Sequence, residues 1–333
     1  MTASALHGAL RASAGRHVLL AFAFASAMLA MFALRPLHAA SVSGTLTIVG
    51  SDTLSTLVLR WIDAFRAQHA DALIQLQTPG SASAPIALLE GAADIGAMSR
   101  AMNAQELKAF RDRYGYAPTA IVVARDAIVV FVHPDNPLTS ITRSELDAIY
   151  SATPRCGAPA SVTRWGELGI EAELPLSKRH ILANGRNSAS GTSEFFRTEA
   201  LCGGDYRADV VVWPGHGATV AAVAGNPEAI GYAGIGYVNG LVKPLAFAPA
   251  DDVPAVAPVM ENVMNGDYAL ARPLYFYVNQ PPGRAPAALP AVFLGYVLSD
   301  EAQVLVGQEG FLPAAQSERD TQKTLIRATI SNP

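Results

Sequence analysis

Charge is scarce in this chain: of 333 residues only 16% are Asp, Glu, Lys or Arg, and the formal net charge is −4. No basic surplus exists to hold nucleic acid or an anionic membrane surface, so neither is expected as a partner. Any anion site must therefore be positive locally, through a few placed groups. Histidine is equally sparse. His7, His17 and His38 lie in the first forty residues, while His69, His133, His180 and His216 are scattered without ligand spacing. No metal site and no cofactor is expected. A Gly-x-Ser-x-Gly elbow and a nucleophile–histidine pair are both missing, and with them the usual marks of a hydrolase. No internal repeat or low-complexity tract shows. What remains is 50% hydrophobic, ample core for one large or two medium globular domains.

The first forty residues are not read as fold. Arg11 and Arg16 precede an apolar, Ala-rich run from Val18 to Leu34, and small residues follow at Ala39-Ala40-Ser41. Charged, apolar and small-residue regions in that order predict a secretory signal peptide over residues 1–40, cleaved near Ala39 or Ala40. A retained signal anchor is the alternative, since the run approaches the length that spans a bilayer. The protein is thus expected outside the cytoplasm, periplasmic or secreted. Two cysteines remain in the exported part, Cys156 and Cys202. An even pair in an oxidising compartment predicts one disulfide, worth roughly 4 kcal/mol for a loop of this length in the chain-entropy account.

Thr45 to Val49 alternates and is β-branched, which predicts a strand. Gly50-Ser51-Asp52-Thr53 turns, and Leu54, Leu57, Val58, Trp61, Ile62 and Phe65 then recur at helical spacing. Leu73 to Gln77 reads as a second strand, followed by Gly80, Ser81 and a helix starting near Ile86 with Ser83 as its expected cap. Asp94 to Arg100 is a short third strand ending in a hydroxyl and a guanidinium. Ala120 to Ala124 and Ala127 to His133 read as two β-rich runs, and Leu274 to Val278 as a long strand. Strands alternating with helices predict α/β architecture.

Four polar loops sit at strand ends or helix starts. They carry Ser51, Asp52 and Thr53; Ser81; Ser99 and Arg100; and Arg186 with Ser190, Gly191 and Thr192. The last precedes a helical pattern, where unpaired backbone N–H groups and the positive dipole end favour an anion. Singly, each Ser, Thr or Asp can be no more than a helix cap. Together they offer hydroxyls, amides, two arginines and one carboxylate, a set suited to a tetrahedral oxyanion. The lone acceptor is informative. Phosphate near neutral pH keeps a proton to give Asp52, whereas sulfate has none and leaves the carboxylate unpaired beside like charge, a penalty of about 1–3 kcal/mol or more.

These stretches, with Gly231-Tyr232 and Gly236-Tyr237, resemble the phosphate-binding protein of the phosphate ABC importer, the PstS family within the periplasmic-binding-protein superfamily. The resemblance runs from about Thr45 to Pro313. It implies phosphate contacts at Ser51, Asp52, Thr53, Ser81, Ser99, Arg100, Arg186, Ser190, Gly191 and Thr192. It implies delivery of phosphate to ABC transporter permease subunits by a monomer. In some members the acidic acceptor lies on the third loop; here Arg100 occupies that region, and Asp52 takes the acceptor's place by inference. His216 also departs, since similar members carry a small hydroxyl residue there. The implied fold is a two-lobed α/β periplasmic-binding-protein architecture of type II-like form, with the ligand in a cleft that closes by hinge motion. Lobe 1 is expected over 41–128 plus 275–333 and lobe 2 over 129–274, joined near Ala127 to His133 and Leu274 to Val278. Two other readings compete: a secreted phosphatase or other phosphoester hydrolase, with Asp52 as its only general base, and a sensor or adhesin using phosphate structurally.

Overall fold

The structure is a computed structural model that describes residues 42–284 and 286–327; the expected leader lies outside them. Strand β1 (Gly44–Gly50) lies between β2 (Ala72–Gln77) and β3 (Ile95–Met98), parallel to both. A 3-10 turn over Asp52–Leu54 leads into helix α1 (Ser55–Gln68). Its Leu57, Val58, Trp61, Ile62 and Phe65 are all buried, one stripe of a 3.6-residue repeat, and the Trp61 indole N–H donates to the Ala302 carbonyl at 2.9 Å. Helices α2 (Ser83–Leu89) and α3 (Ala104–Tyr114) flank β3 in sequence.

Strand β4 (Thr119–Val132) is continuous where the sequence reads as two runs. Its first half pairs antiparallel with β11 (Ala271–Val278), with Asp126 opposite Arg272. Its second half pairs with β8 (Ala229–Gly234). The apparent break at Arg125-Asp126 is polar in sequence but extended in space, because Arg272 on the neighbouring strand meets the buried Asp126.

Between β4 and β8 the chain forms β5 (Ser140–Thr142), α4 (Arg143–Tyr150), β6 (Leu182–Arg186), α5 (Gly191–Glu199), β7 (Val211–Trp213) and α6 (His216–Ala224). After β8 come β9 (Lys243–Pro244), β10 (Ala246–Ala248) and α7 (Met260–Asn265). After β11 the chain adds α8 (Ala288–Val297), α9 (Asp300–Gln308), β12 (Leu312–Pro313) and α10 (Gln316–Arg327). The main sheet runs β2-β1-β3-β11-β4-β8-β6-β7.

Two large apolar cores sit on this sheet. One gathers Leu46, Trp61, Ile95, Val123, Leu274 and Phe293; the other gathers Ile128, Ile149, Trp165, Phe196, Tyr232 and Leu270. They change over between Ala124 and Ala127 on β4, and between Leu270 and Leu274 on β11.

Cys156 and Cys202 are joined, with Cα atoms 5.7 Å apart. The bond ties the loop after α4 to the end of α5, where Cys202 adopts a left-handed φ of 48°. Titration of denatured, unreduced protein with a thiol reagent should find no free sulfhydryl. Two reactive thiols per chain would contradict the bond.

Candidate functional site

Most of the polar loops converge where the two cores meet. Thr53, Ser81, Ser99, Thr192 and His216 are buried, and their side chains form one hydrogen-bonded cluster. Thr53 Oγ1 lies 3.1 Å from Thr192 Oγ1 and 3.4 Å from Ser99 Oγ. Ser81 Oγ lies 3.3 Å from Ser99 Oγ and accepts the Ser99 backbone N–H at 3.1 Å. Strands β1, β3, β6 and the starts of α5 and α6 thus deliver their termini to one place, as expected at the carboxyl ends of parallel strands.

Arg186, at the end of β6, has a fully buried side chain. Its Nη2 donates to Asp52 Oδ2 and to the Pro214 carbonyl at 3.1 Å, and its Nε to the Trp213 carbonyl at 3.3 Å. Two backbone carbonyls therefore hold the guanidinium plane in place. Arg186 Nη1, Asp52 Oδ1 and Ser51 Oγ are buried without a hydrogen-bond partner. Unpartnered buried polar atoms are rare and costly. Two donors and one acceptor, two of them on the Arg186–Asp52 ion pair and the third on the residue before Asp52, are complementary to an oxyanion that carries a proton.

The same chemistry fixes His216. Its Nδ1 accepts the Gly234 backbone N–H at 3.1 Å, so the ring proton resides on Nε2, which donates to Thr53 Oγ1 at 2.9 Å. Its ring stacks on Tyr237 with centroids 4.5 Å apart, and the Tyr237 hydroxyl donates to the Thr53 carbonyl at 3.0 Å. Burial pushes the His216 pKa well below the usual value, and the Arg186 and Arg272 charges push it the same way. Native His216 is therefore neutral, while the unfolded chain takes up a proton near pH 6.5. Its contribution to stability is complete above that pH and is lost as pH falls below it, by up to ~1.4 kcal/mol per pH unit. Denaturant titrations of wild type and His216→Gln should diverge in slope only below about pH 6.5; identical pH profiles would contradict a buried neutral imidazole.

The other expected residues divide. Ser190 caps α5, accepting the N–H groups of Thr192 and Ser193, so the modest reading of that serine holds for its lone pairs. Gly191 opens the helix with its Cα against the hydroxyls of the loops after β2 and β3: a Cβ there would lie 2.6 Å from Ser99 Oγ and closer still to Ser81 Oγ. Gly80, at φ +128°, lies equally close to Ala189, with a Cβ position 2.7 Å from its carbonyl carbon, and Ala82 N–H donates to the Ala189 carbonyl at 3.1 Å. Arg100 is not brought into the cluster. Its guanidinium is taken by the Glu106 carboxylate in two bonds of 2.8 and 2.7 Å, and by the Ala101 carbonyl. Ser83 is not a cap either; it is the first residue of α2, and its hydroxyl donates to the Gly80 carbonyl.

Sequence reading missed Asp126 and Arg272, and it cites Tyr237 as part of the resemblance without giving it a place in the site. Asp126 and Arg272 form a fully buried ion pair, with Arg272 Nη2 2.7 Å from Asp126 Oδ2. The available signal was a charged residue inside each of two long apolar strands, since unpaired charges are almost never fully buried. Among the described residues no group of His, Cys, Asp and Glu has the arrangement of a metal site.

Two cores on one mixed sheet, with a donor-rich polar cluster where they meet, define a two-lobed α/β binding protein. Residues 37–301 match the profile of the PBP superfamily domain. The phosphate-binding protein PstS of Pseudomonas aeruginosa is 44% identical over 275 residues, covering 83% of this chain and 84% of that protein. The chain belongs to the PBP superfamily and, within it, to the family of these PstS proteins. Among solved structures, a putative phosphate ABC transporter substrate-binding protein of Clostridium perfringens with bound phosphate aligns at TM-score 0.67 and 25% identity, over 82% of this chain and all of that one. An ABC-type phosphate transport receptor of Vibrio cholerae aligns at TM-score 0.64 and 23% identity, over 81% of this chain and all of that one, a likeness of fold.

Proposed function

We propose that this protein captures inorganic phosphate outside the cytoplasm, in the cleft between its lobes, and delivers it to the permease of an ABC transporter. The observation that carries the reading is the trio of unpartnered buried atoms, Ser51 Oγ, Asp52 Oδ1 and Arg186 Nη1, beside a cluster of hydroxyls and the start of α5. In this reading the anion is held by Ser51, Thr53, Ser81, Ser99, Ser190, Thr192 and the Gly191 amide. Arg186 supplies charge, and Asp52 accepts the remaining phosphate proton. His216 Nε2–H joins them as a donor in place of a hydroxyl. Arg100, engaged by Glu106, is left out of this set. Lobe 1 is 41–128 with 275–333 and lobe 2 is 129–274; the exchange of cores along β4 and β11 supports two lobes, and it falls a few residues before each of these boundaries, since Ala127 and Ile128 pack in the second core and Leu274 in the first. Names and bound ligand of the relatives support the same reading.

Binding is favoured over hydrolysis by the state of the one imidazole in the cluster. His216 gives a proton to Thr53 Oγ1 and has its other nitrogen occupied by Gly234, so it cannot take the Thr53 proton and activate that hydroxyl. Titration calorimetry of the purified mature chain with phosphate, sulfate and molybdate tests the function. Saturable binding of one phosphate per chain with sulfate silent is expected. No heat with phosphate, or turnover of a chromogenic phosphate ester, would overturn it.

A further inference from the structure

We propose that Arg272 is a positioning residue of this site: held by Asp126, it fixes the Thr192 hydroxyl as a proton donor to the bound anion. The proposal rests on the phosphate reading above. Arg272 Nε and Nη2 donate to Asp126 Oδ2 at 3.1 and 2.7 Å. Asp126 Oδ1 accepts the Ile235 N–H at 3.1 Å, and the Phe195 ring lies 5.4 Å from the guanidinium carbon. Asp126 and the Phe195 ring thus hold the Nε–Nη2 edge and one face of the guanidinium, while Nη1 is buried without a hydrogen-bond partner. From that position Nη2 also donates to Thr192 Oγ1 at 2.8 Å.

A threonine hydroxyl has one proton, and what its lone pairs accept decides where that proton goes. Thr192 Oγ1 receives Arg272 Nη2–H, and the His216 Nε2–H faces it at 3.5 Å. Both neighbours are donors only, so the Thr192 proton points to an acceptor, either Thr53 Oγ1 at 3.1 Å or an oxygen of a bound anion. A charged donor also polarises the O–H it binds, which strengthens the bond that the hydroxyl makes next. Asp126 keeps this donor usable. Burial drives the Arg272 pKa down and the Arg186 charge adds to that, while Asp126 opposes both.

Placement gives the pair a second consequence. Asp126 and Arg272 face each other on β4 and β11, the strands along which the two cores change over. The anion donor on α5 is thereby referenced to the joint between lobes rather than to its own lobe alone.

The test is a double-mutant cycle of phosphate dissociation constants over wild type, Arg272→Gln, Thr192→Val and the double variant. Each single change is expected to weaken binding about tenfold, and the double variant no more than about twofold beyond Thr192→Val, because contacting groups are non-additive. A merely structural Arg272 would instead give independent losses that multiply, and that result overturns the proposal. Should Arg272→Gln not fold, Arg272→Lys replaces it in the cycle; its single ammonium keeps the charge but cannot bridge Asp126 and Thr192 in one plane. In wild type itself, the side-chain resonance of Arg272 in 15N-arginine-labelled protein should shift on phosphate saturation and not in Thr192→Val. An unmoved resonance overturns the proposal even if no Arg272 variant folds. Wild type that fails to bind phosphate would overturn the reading beneath it, whereas binding with multiplying losses overturns the Arg272 role alone.

Discussion

Replacing Arg186 with alanine is expected to weaken phosphate binding by about a hundredfold, by removing a charge-assisted contact worth roughly 1.5–3 kcal/mol. The side chain is fully buried, and two carbonyls on one side and Asp52 on the other fix its plane. Its loss also leaves the Asp52 carboxylate facing an anion without a counter-charge, which adds repulsion to the missing bond. Every oxyanion that enters the site should suffer alike, because the guanidinium supplies charge rather than proton selectivity. Calorimetry with phosphate measures the loss. A change below about threefold, well under the range of a charge-assisted bond, would show that Arg186 does not face the ligand.

Gly191→Ala is expected to be more damaging still, and for a reason that leaves the fold intact. The helix itself tolerates alanine there, although its advantage over glycine, about 1 kcal/mol in a helix interior, is smaller at a first residue. Yet the new methyl would sit 2.6 Å from Ser99 Oγ, across the cleft. Overpacking of this kind costs roughly 1–3 kcal/mol or more, and here it falls on the contact between α5 and the β3 loop, forcing the two apart. It also covers the amide that the anion would approach. A loss of affinity of a hundredfold or more, with a melting temperature no higher than that of wild type, is the expected pair of results. Retained affinity would mean that the lobes close on phosphate in another register.

Much of this arrangement is legible in sequence because its parts are local. The stripe of Leu57, Val58, Trp61, Ile62 and Phe65 specifies α1 by period alone, and all five are buried as that period requires. The loops carrying Ser51, Ser81, Ser99 and Thr192 are marked by small hydroxyl residues at strand ends, a pattern read without knowing which strands adjoin. Arg100 shows the limit of that method. It follows a strand as Arg186 does, but its guanidinium is claimed by Glu106, six residues later, at the third position of α3, where the carboxylate also completes a capping box. Sequence spacing alone cannot rank that local partner against a distant cleft.

Other parts escaped because they depend on pairing across the chain. Asp126 looks like an interruption between two β runs until Arg272, on a strand far along the sequence, lies opposite it. The role of His216 rests on a tautomer set by the Gly234 N–H, which no spacing reveals. The helices at 300–308 and 316–327 lack a strong apolar stripe, since α9 buries Gln303 and α10 has a largely polar sequence; they are defined by docking. The Gln303 side chain bonds the Val123, Val297 and Ala314 backbones there.

The claim on which the account turns is that Asp52 selects phosphate by accepting its proton. The most direct measurement is the ratio of phosphate to sulfate affinity, by calorimetry at one pH, in wild type and in Asp52→Asn. The amide keeps the shape of the carboxylate but can donate to an unprotonated oxygen, so the penalty on sulfate should largely vanish. Phosphate itself should weaken only several-fold, because Arg186, the hydroxyls and the helix start remain. The expected result is a ratio that collapses by about tenfold to a hundredfold, the worth of roughly 1–3 kcal/mol for one unsatisfied buried group. An unchanged ratio would contradict the account, leaving Asp52 as no more than the partner that holds Arg186 in place.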